Sequence, residues 1–175
     1  MLQFASYVFD LCIGEVFCPL LHGGCVCIPS EETKMGDLAG FVLTTNVNWA
    51  ILTPSYVRTM QPAQFPNLEL LVLAGEAVGS DKLESWFGKV RLVKGWGPAE
   101  TCVFSAVHEW TSLDESPLTV GCPVGGNGYI VDPADAQKLA PVGCVSELVI
   151  QGPTILREYL SDAERTAVAV VPAAD

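Results

Sequence analysis

Apolar residues recur along the first half of the chain in short runs separated by helical stripes. Residues 9–21 carry Phe9, Ile13, Val16, Phe17, Leu20 and Leu21 at helical spacing, and Gly23-Gly24 ends the pattern. Residues 25–28 are an apolar run closed by Pro29, which predicts a short buried strand. Residues 34–45 predict a helix weakened by Gly36 and Gly40. A second run, Trp49–Leu52, precedes Pro54, which opens a helix through Tyr56, Val57 and Met60. Residues 68–73 and 90–93 read as further buried strands. Between them Ser80 is expected to cap a helix carrying Leu83, Trp86 and Phe87. Continuous apolar strands alternating with helices predict an α/β fold with a parallel sheet layered between helices.

The pattern changes near residue 107. Residues 106–110, 118–120, 129–131 and 147–150 are short strand-like runs between Gly, Pro and Asp turns, the signature of an antiparallel sheet or small barrel. Residues 132–143 read as a polar connection. The expected organisation is a partial parallel-sheet α/β subdomain over 1–106 and part of an antiparallel β-barrel subdomain over 107–175. Residues 162–167 start like a helix, and 170–175 bring no closing element, so the ending reads as truncated.

Composition narrows the partners. The 175 residues are 50% hydrophobic and 17% charged, which is globular material. A net charge of -11 argues against nucleic acid and anionic membrane surfaces, both of which need a basic patch. Every apolar run is interrupted before it could span a bilayer, and the first residues do not have the shape of a signal peptide. A cytoplasmic location is therefore expected. The seven cysteines are odd in number and irregularly spaced, and are expected to be free, mostly buried thiols. Cys18 and His22, four apart on a helix, form half of a metal site at most.

Ligands of parallel sheets sit at the carboxyl ends of the strands. Gly75-Glu76 and Gly95-Trp96-Gly97-Pro98-Ala99-Glu100-Thr101 both follow such ends. Trp96 offers a face for stacking on a planar base. Gly95 and Gly97 allow a ligand to approach the main chain. Glu100 can give an oxygen to a magnesium ion that already carries phosphate. The plainer alternative is a tight turn with an exposed acid.

Several segments together resemble the adenylation domain of a fungal-type nonribosomal peptide synthetase, within the adenylate-forming enzymes. Phe9-Asp10-Leu11-Cys12 resembles the family's Phe-Asp-x-Ser segment, and residues 95–100 its Asn-x-Tyr-Gly-Pro-Thr-Glu loop. Ala74-Gly75-Glu76-Ala77 resembles the turn bordering the adenine. Residues 145–152 followed by Arg157-Glu158-Tyr159-Leu160 resemble the Gly-Glu-Leu…Arg-Gly-Tyr-Leu segment. Departures are Cys12 for Ser, Lys94 for Asn, Trp96 for Tyr, Ala99 for Thr, and Ser146 and Glu158 for Gly. The family's Lys-bearing phosphate loop, its ribose-binding Asp and its catalytic Lys are not among these residues.

The resemblance implies ATP and Mg²⁺ as cofactors. It implies an amino-acid substrate and a peptidyl carrier domain bearing phosphopantetheine as partners. It places Gly75, Glu76, Gly95, Trp96, Gly97, Ala99 and Glu100 around the nucleotide, with Glu100 on the metal. It assigns Asp10 to the substrate's α-ammonium group; the plain alternative is a helix N-cap. The side-chain pocket maps to Asp10, Leu11, Gly14, Ile51, Val72, Ala74, Gly95, Val103 and Phe104. These positions leave volume at the two glycines and offer no partner for a charged side chain, so a large apolar amino acid, aromatic first, is expected. Two other readings stay open: a non-catalytic remnant that binds weakly, and an acyl-CoA ligase piece, against which Asp10 argues.

Overall fold

A computed structural model of the chain describes residues 1–171. Helix α1 (Leu11–Leu21) leads, followed by α2 (Glu31–Gly36) and α3 (Leu38–Thr44). Residues 34–45 are thus two helices and not one. Asp37 breaks the run and caps α3, its carboxylate accepting from the Gly40 amide. Strand β1 (Trp49–Leu52), helix α4 (Pro54–Val57), strand β2 (Leu70–Leu73), helix α5 (Ser80–Trp86) and strand β3 (Arg91–Trp96) follow. Gly79, not Ser80, is the N-cap of α5, and no side chain caps it.

The three apolar strands β1, β2 and β3 pair in parallel. Strands β4 (Ala106–Glu109) and β5 (Cys122–Pro123) then add antiparallel to the same sheet, in the order β1-β2-β3-β4-β5. The change near residue 107 is therefore a switch in strand direction within one mixed sheet. The sheet runs across the 106/107 division. A separate antiparallel sheet begins at β6 (Asn127–Asp132), flanked by β7 (Asp135–Leu139) and β8 (Glu147–Gln151). Three strands with two edges do not close, so there is no barrel among the described residues. Helix α6 (Ala163–Ala169) ends the described part, capped by Asp162. The ending over 170–175, expected to bring no closing element, falls mostly on 172–175, outside the described residues.

Three local expectations change. Residues 25–28 contribute one parallel bridge, Cys27 to Leu2, because the Met1–Gln3 backbone fills the place beside β1. Residues 118–120 are not a strand, and the polar 132–143 connection contains β7, which forms a hairpin with β6. Five of the cysteines are exposed and two are half-buried, so the thiols are free but not buried. His22 Nδ1 meets the Cys18 carbonyl and not its thiol.

The mixed sheet has two apolar faces. On one, Leu52, Leu71, Leu73 and Leu92 pack with Val57, Leu83 and Trp86. On the other, Ile51, Val72 and Ala74 pack with Met1, Leu11, Val93 and Phe104. Helix α1 is turned contrary to its stripe. Phe9 is 65% and Leu21 81% exposed, with Ile13, Phe17 and Leu20 also on the outside. Glu15 and Pro19 are the residues it buries. The Glu15 carboxylate accepts from the Phe4 and Ala5 amides and from Gln3 Nε2 at 2.9–3.2 Å. Burial still pushes its pKa above the ordinary value.

Candidate functional site

The parallel register pairs Leu73 with Lys94, so the loops after β2 and β3 leave the sheet side by side. Gly75 has a φ of +81°, which an L side chain adopts only under strain. Glu76 is already engaged: its carboxylate accepts from the Ser55 amide and hydroxyl at the start of α4, and these bonds hold its pKa low. Only its backbone is left to border a ligand.

After β3 the chain makes a short 3-10 turn, Ala99–Thr101. Gly97 is obligatory here, because a Cβ would lie 2.8 Å from both the Ser105 amide nitrogen and the Val103 carbonyl oxygen. The turn is closed by the Ser105 amide donating to Trp96 O and by a Thr101–Ser105 hydroxyl contact. Cys102 and Val103 both stand at φ +61°. For a β-branched residue this is a rare conformation, and such positions cost about 1–3 kcal/mol each. Val103 is held there by Asp10, whose Oδ2 accepts its amide at 2.7 Å across 93 residues. Asp10 occupies the N-cap position of α1, yet its side chain does not cap the helix.

Glu100 Oε1 accepts the Tyr159 hydroxyl at 2.5 Å, and the Glu100 carbonyl accepts the Leu156 amide at 2.7 Å. The Tyr159 bond holds the Glu100 carboxyl below its usual pKa, so it is ionised at neutral pH. Arg165 stacks on the Tyr159 ring, 4.5 Å from its centroid. Trp96, Glu100, Tyr129, Gln151 and Tyr159 line a cavity of about 640 Å³ between the turn and the second sheet. Gly75 and Glu76 do not line it. Sequence reasoning gave Tyr159 no role. Its signal lay in the Arg157-Glu158-Tyr159-Leu160 segment, whose neighbourhood to Glu100 only the fold reveals.

Five of the nine positions expected to line the side-chain pocket share a cluster, and the other four adjoin it singly. Leu11, Ile51, Val72, Ala74 and Phe104 belong to one apolar cluster. Gly95 meets it through the Phe104 ring, 2.3 Å from where a Cβ would stand, and Gly14 faces Val103 Cγ1 at 3.3 Å on the same measure. Asp10 joins through Val103. The space expected at Gly14 and Gly95 is therefore filled by Val103 and Phe104. Lys94 lies elsewhere. Strand alternation turns it to the opposite sheet face, where it is buried and its Nζ reaches the Leu118 carbonyl at 3.4 Å. Burial lowers its pKa. No group of three or more His, Cys, Asp or Glu that could hold a metal ion occurs among the described residues. No helix among them is long and apolar enough to cross a membrane.

A sheet with two apolar faces and a glycine-bound acidic turn at its strand ends is the arrangement of the adenylate-forming enzymes. Residues 1–160 match the family model described as AMP-binding enzyme, and the chain belongs to that family. The chain is 45% identical over 172 residues to nonribosomal peptide synthetase 8 of Aspergillus fumigatus, covering 98% of this chain and 2% of that protein. It is 44% identical over 167 residues to nonribosomal peptide synthetase 4 of Gibberella zeae, covering 95% and 2%. It is 42% identical over 171 residues to the N-benzoylphenylalaninol synthetase apmA of Penicillium brevicompactum, covering 98% and 7%. The chain thus spans a small part of each curated relative. Among solved structures, an NRPS protein containing adenylation and PCP domains, bound to a vinylsulfonamide inhibitor, superposes with a TM-score of 0.84. It is 25% identical, with 96% of this chain and 31% of that chain covered. An artificially fused adenylation–PCP di-domain NRPS from Klebsiella oxytoca superposes with a TM-score of 0.80 at 25% identity, covering 95% and 33%. The fold is that of solved structures containing adenylation domains.

Proposed function

We propose that these residues form part of an amino-acid-activating site within a longer synthetase. A substrate carboxylate attacks the α-phosphorus of ATP and the bond to pyrophosphate breaks; the thiol of a carrier domain's phosphopantetheine then attacks the acyl carbon of the aminoacyl adenylate, forming a thioester and releasing AMP. The single observation that carries this reading is Asp10: an acid spared from capping its helix and set against an otherwise uncharged cluster. An α-ammonium group supplies the counter-charge that such a position calls for.

In this reading Trp96 stacks on the adenine, and the backbone of Gly75, Glu76, Gly97 and Ala99 borders it. Glu100 fits a metal ligand because Tyr159 keeps it ionised and oriented. Bound there together with phosphate oxygens, Mg²⁺ would neutralise charge developing on the phosphates. The substrate side chain is apolar, since a buried charge would have no partner among the pocket residues. An aromatic ring ranks first. It would meet the Phe104 ring edge-to-face in front of Gly95, not beneath it. The relative named for a phenylalaninol product is in keeping with that preference.

The test is amino-acid-dependent ATP–pyrophosphate exchange by the parent synthetase. Removing one preorganised charge-stabilising group typically costs about 10²–10³ in rate, so Glu100→Gln should lower exchange by that order. The 175-residue chain by itself should show none above a boiled control. Unchanged exchange in E100Q would contradict the assignment of Glu100, and activity of the chain alone would contradict its dependence on the rest of the synthetase.

A further inference from the structure

We propose that Asp10 is also a positioning residue, a latch that holds the Cys102–Val103–Phe104 turn against helix α1. This turn supplies two of the pocket's walls. The inference rests on the amino-acid site proposed above, but its geometry stands independently.

Three observations carry it. First, Cys102 and Val103 adopt φ +61° in succession, a conformation that neither residue favours on its own. Something outside the turn must select it. Second, the contact that reaches in from elsewhere is the Asp10 carboxylate. Its Oδ2 takes the Val103 amide at 2.7 Å, a charge-assisted bond from the first turn of α1. Third, the side chains placed by this bond are in tight contact. Val103 Cγ1 fills the space over Gly14, and the Phe104 ring fills the space over Gly95.

Release of the Val103 amide frees the turn to relax, and both walls move with it. A carboxylate has two oxygens. With Oδ2 on the Val103 amide, Oδ1 remains to receive an ammonium group, so latch and counter-charge can act together. Asp10 thereby couples recognition of the amino group to the shape of the side-chain pocket. Its loss should alter which amino acid is chosen, and not only how tightly any amino acid binds.

Two substitutions separate the roles. Asp10→Asn keeps an acceptor oxygen for Val103 and removes the counter-charge. Asp10→Ala removes both. In the full-length protein, hydrogen exchange of peptides spanning residues 99–106 should quicken at Val103 by roughly tenfold in D10A and stay near wild type in D10N. In exchange assays over an amino-acid panel, both variants should lose rate. D10N should keep the wild-type rank order of substrates, and D10A should flatten it. Val103→Gly accepts the left-handed conformation without strain. Alone, it should weaken the dependence of the turn on the latch, so that D10A changes the substrate rank order less in the V103G background than in wild type. Equal Val103 protection in wild type and D10A would overturn the latch, as would an unaltered rank order in D10A. If the wild type shows no amino-acid-dependent exchange at all, the adenylation reading fails, while the hydrogen-exchange arm still decides the latch.

Discussion

Lys94 shows how a single position can be read correctly and still be misplaced. The sequence marks it as a departure from the family's Asn, next to the loop that matters. Strand alternation instead puts its side chain on the far face of the sheet, in the larger core, with one long hydrogen bond to Leu118. A lysine whose pKa is lowered by burial binds fewer protons folded than unfolded. Stability therefore rises with pH between the lowered value and the unfolded value near 10.5. Lys94→Met should stabilise the protein by about 1–2 kcal/mol at neutral pH, and the advantage should shrink as pH approaches 10. Chemical denaturation at pH 7 and pH 10 measures both. A destabilised K94M at neutral pH would mean that the ammonium has a partner worth more than its burial costs. Asp10 and Glu100 were visible in the sequence as acids in apolar or glycine-rich surroundings, the role given to Asp10 coming from the family resemblance. Tyr159 was not, because its meaning is a contact made 59 residues away.

At the scale of elements, the three parallel strands were the most legible part of the chain. β1 and β2 are continuous apolar runs, as a sheet covered on both faces requires, and β3 is interrupted by Arg91 and Lys94. Helix α1 was legible as a helix but not in its orientation. Its apolar stripe faces outward, and the face it buries carries Glu15. Hydrophobic periodicity assumes that the apolar side turns inward. Here the carboxylate's three donors from Gln3, Phe4 and Ala5 fix the helix the other way. Glu15→Ala would leave buried amide donors unpaired and should cost at least about 2 kcal/mol. Glu15→Gln keeps acceptors and should cost less. Thermal unfolding of the two variants checks the order. Equal, negligible losses would show that packing alone sets the helix. Residues 106–110, which hold β4, read as the start of a second unit because antiparallel strands are short and punctuated, and the two-residue β5 is too short to register. Nothing in local pattern shows that β4 hydrogen-bonds to β3 and β5 to β4.

For the whole molecule, one run of exposed apolar side chains lies near helix α1. Tyr7, Val8, Phe9, Ile13, Phe17, Leu20, Leu21 and Ile28 all stand about half or more exposed within residues 7–28. Exposed apolar side chains in such number favour association. The 175-residue chain made alone is expected to self-associate, and Phe17→Lys with Leu21→Lys should shift it toward monomer. Sedimentation velocity reads this directly, and a monomeric wild type would contradict it. The curated relatives are far longer than this chain, and in a longer synthetase the same face has further polypeptide available to cover it.

The central claim is that Asp10 and the apolar cluster beneath it receive an amino acid for activation by ATP at the adjoining strand ends. ATP–pyrophosphate exchange by the parent synthetase, run against all twenty proteinogenic amino acids, tests it most directly. The account predicts exchange with apolar amino acids, highest with an aromatic one and next with a leucine-like one, and none with Lys, Arg, Asp or Glu. Exchange driven best by a charged amino acid, or by none of the twenty while a carboxylic acid lacking an amino group supports it, would contradict the account.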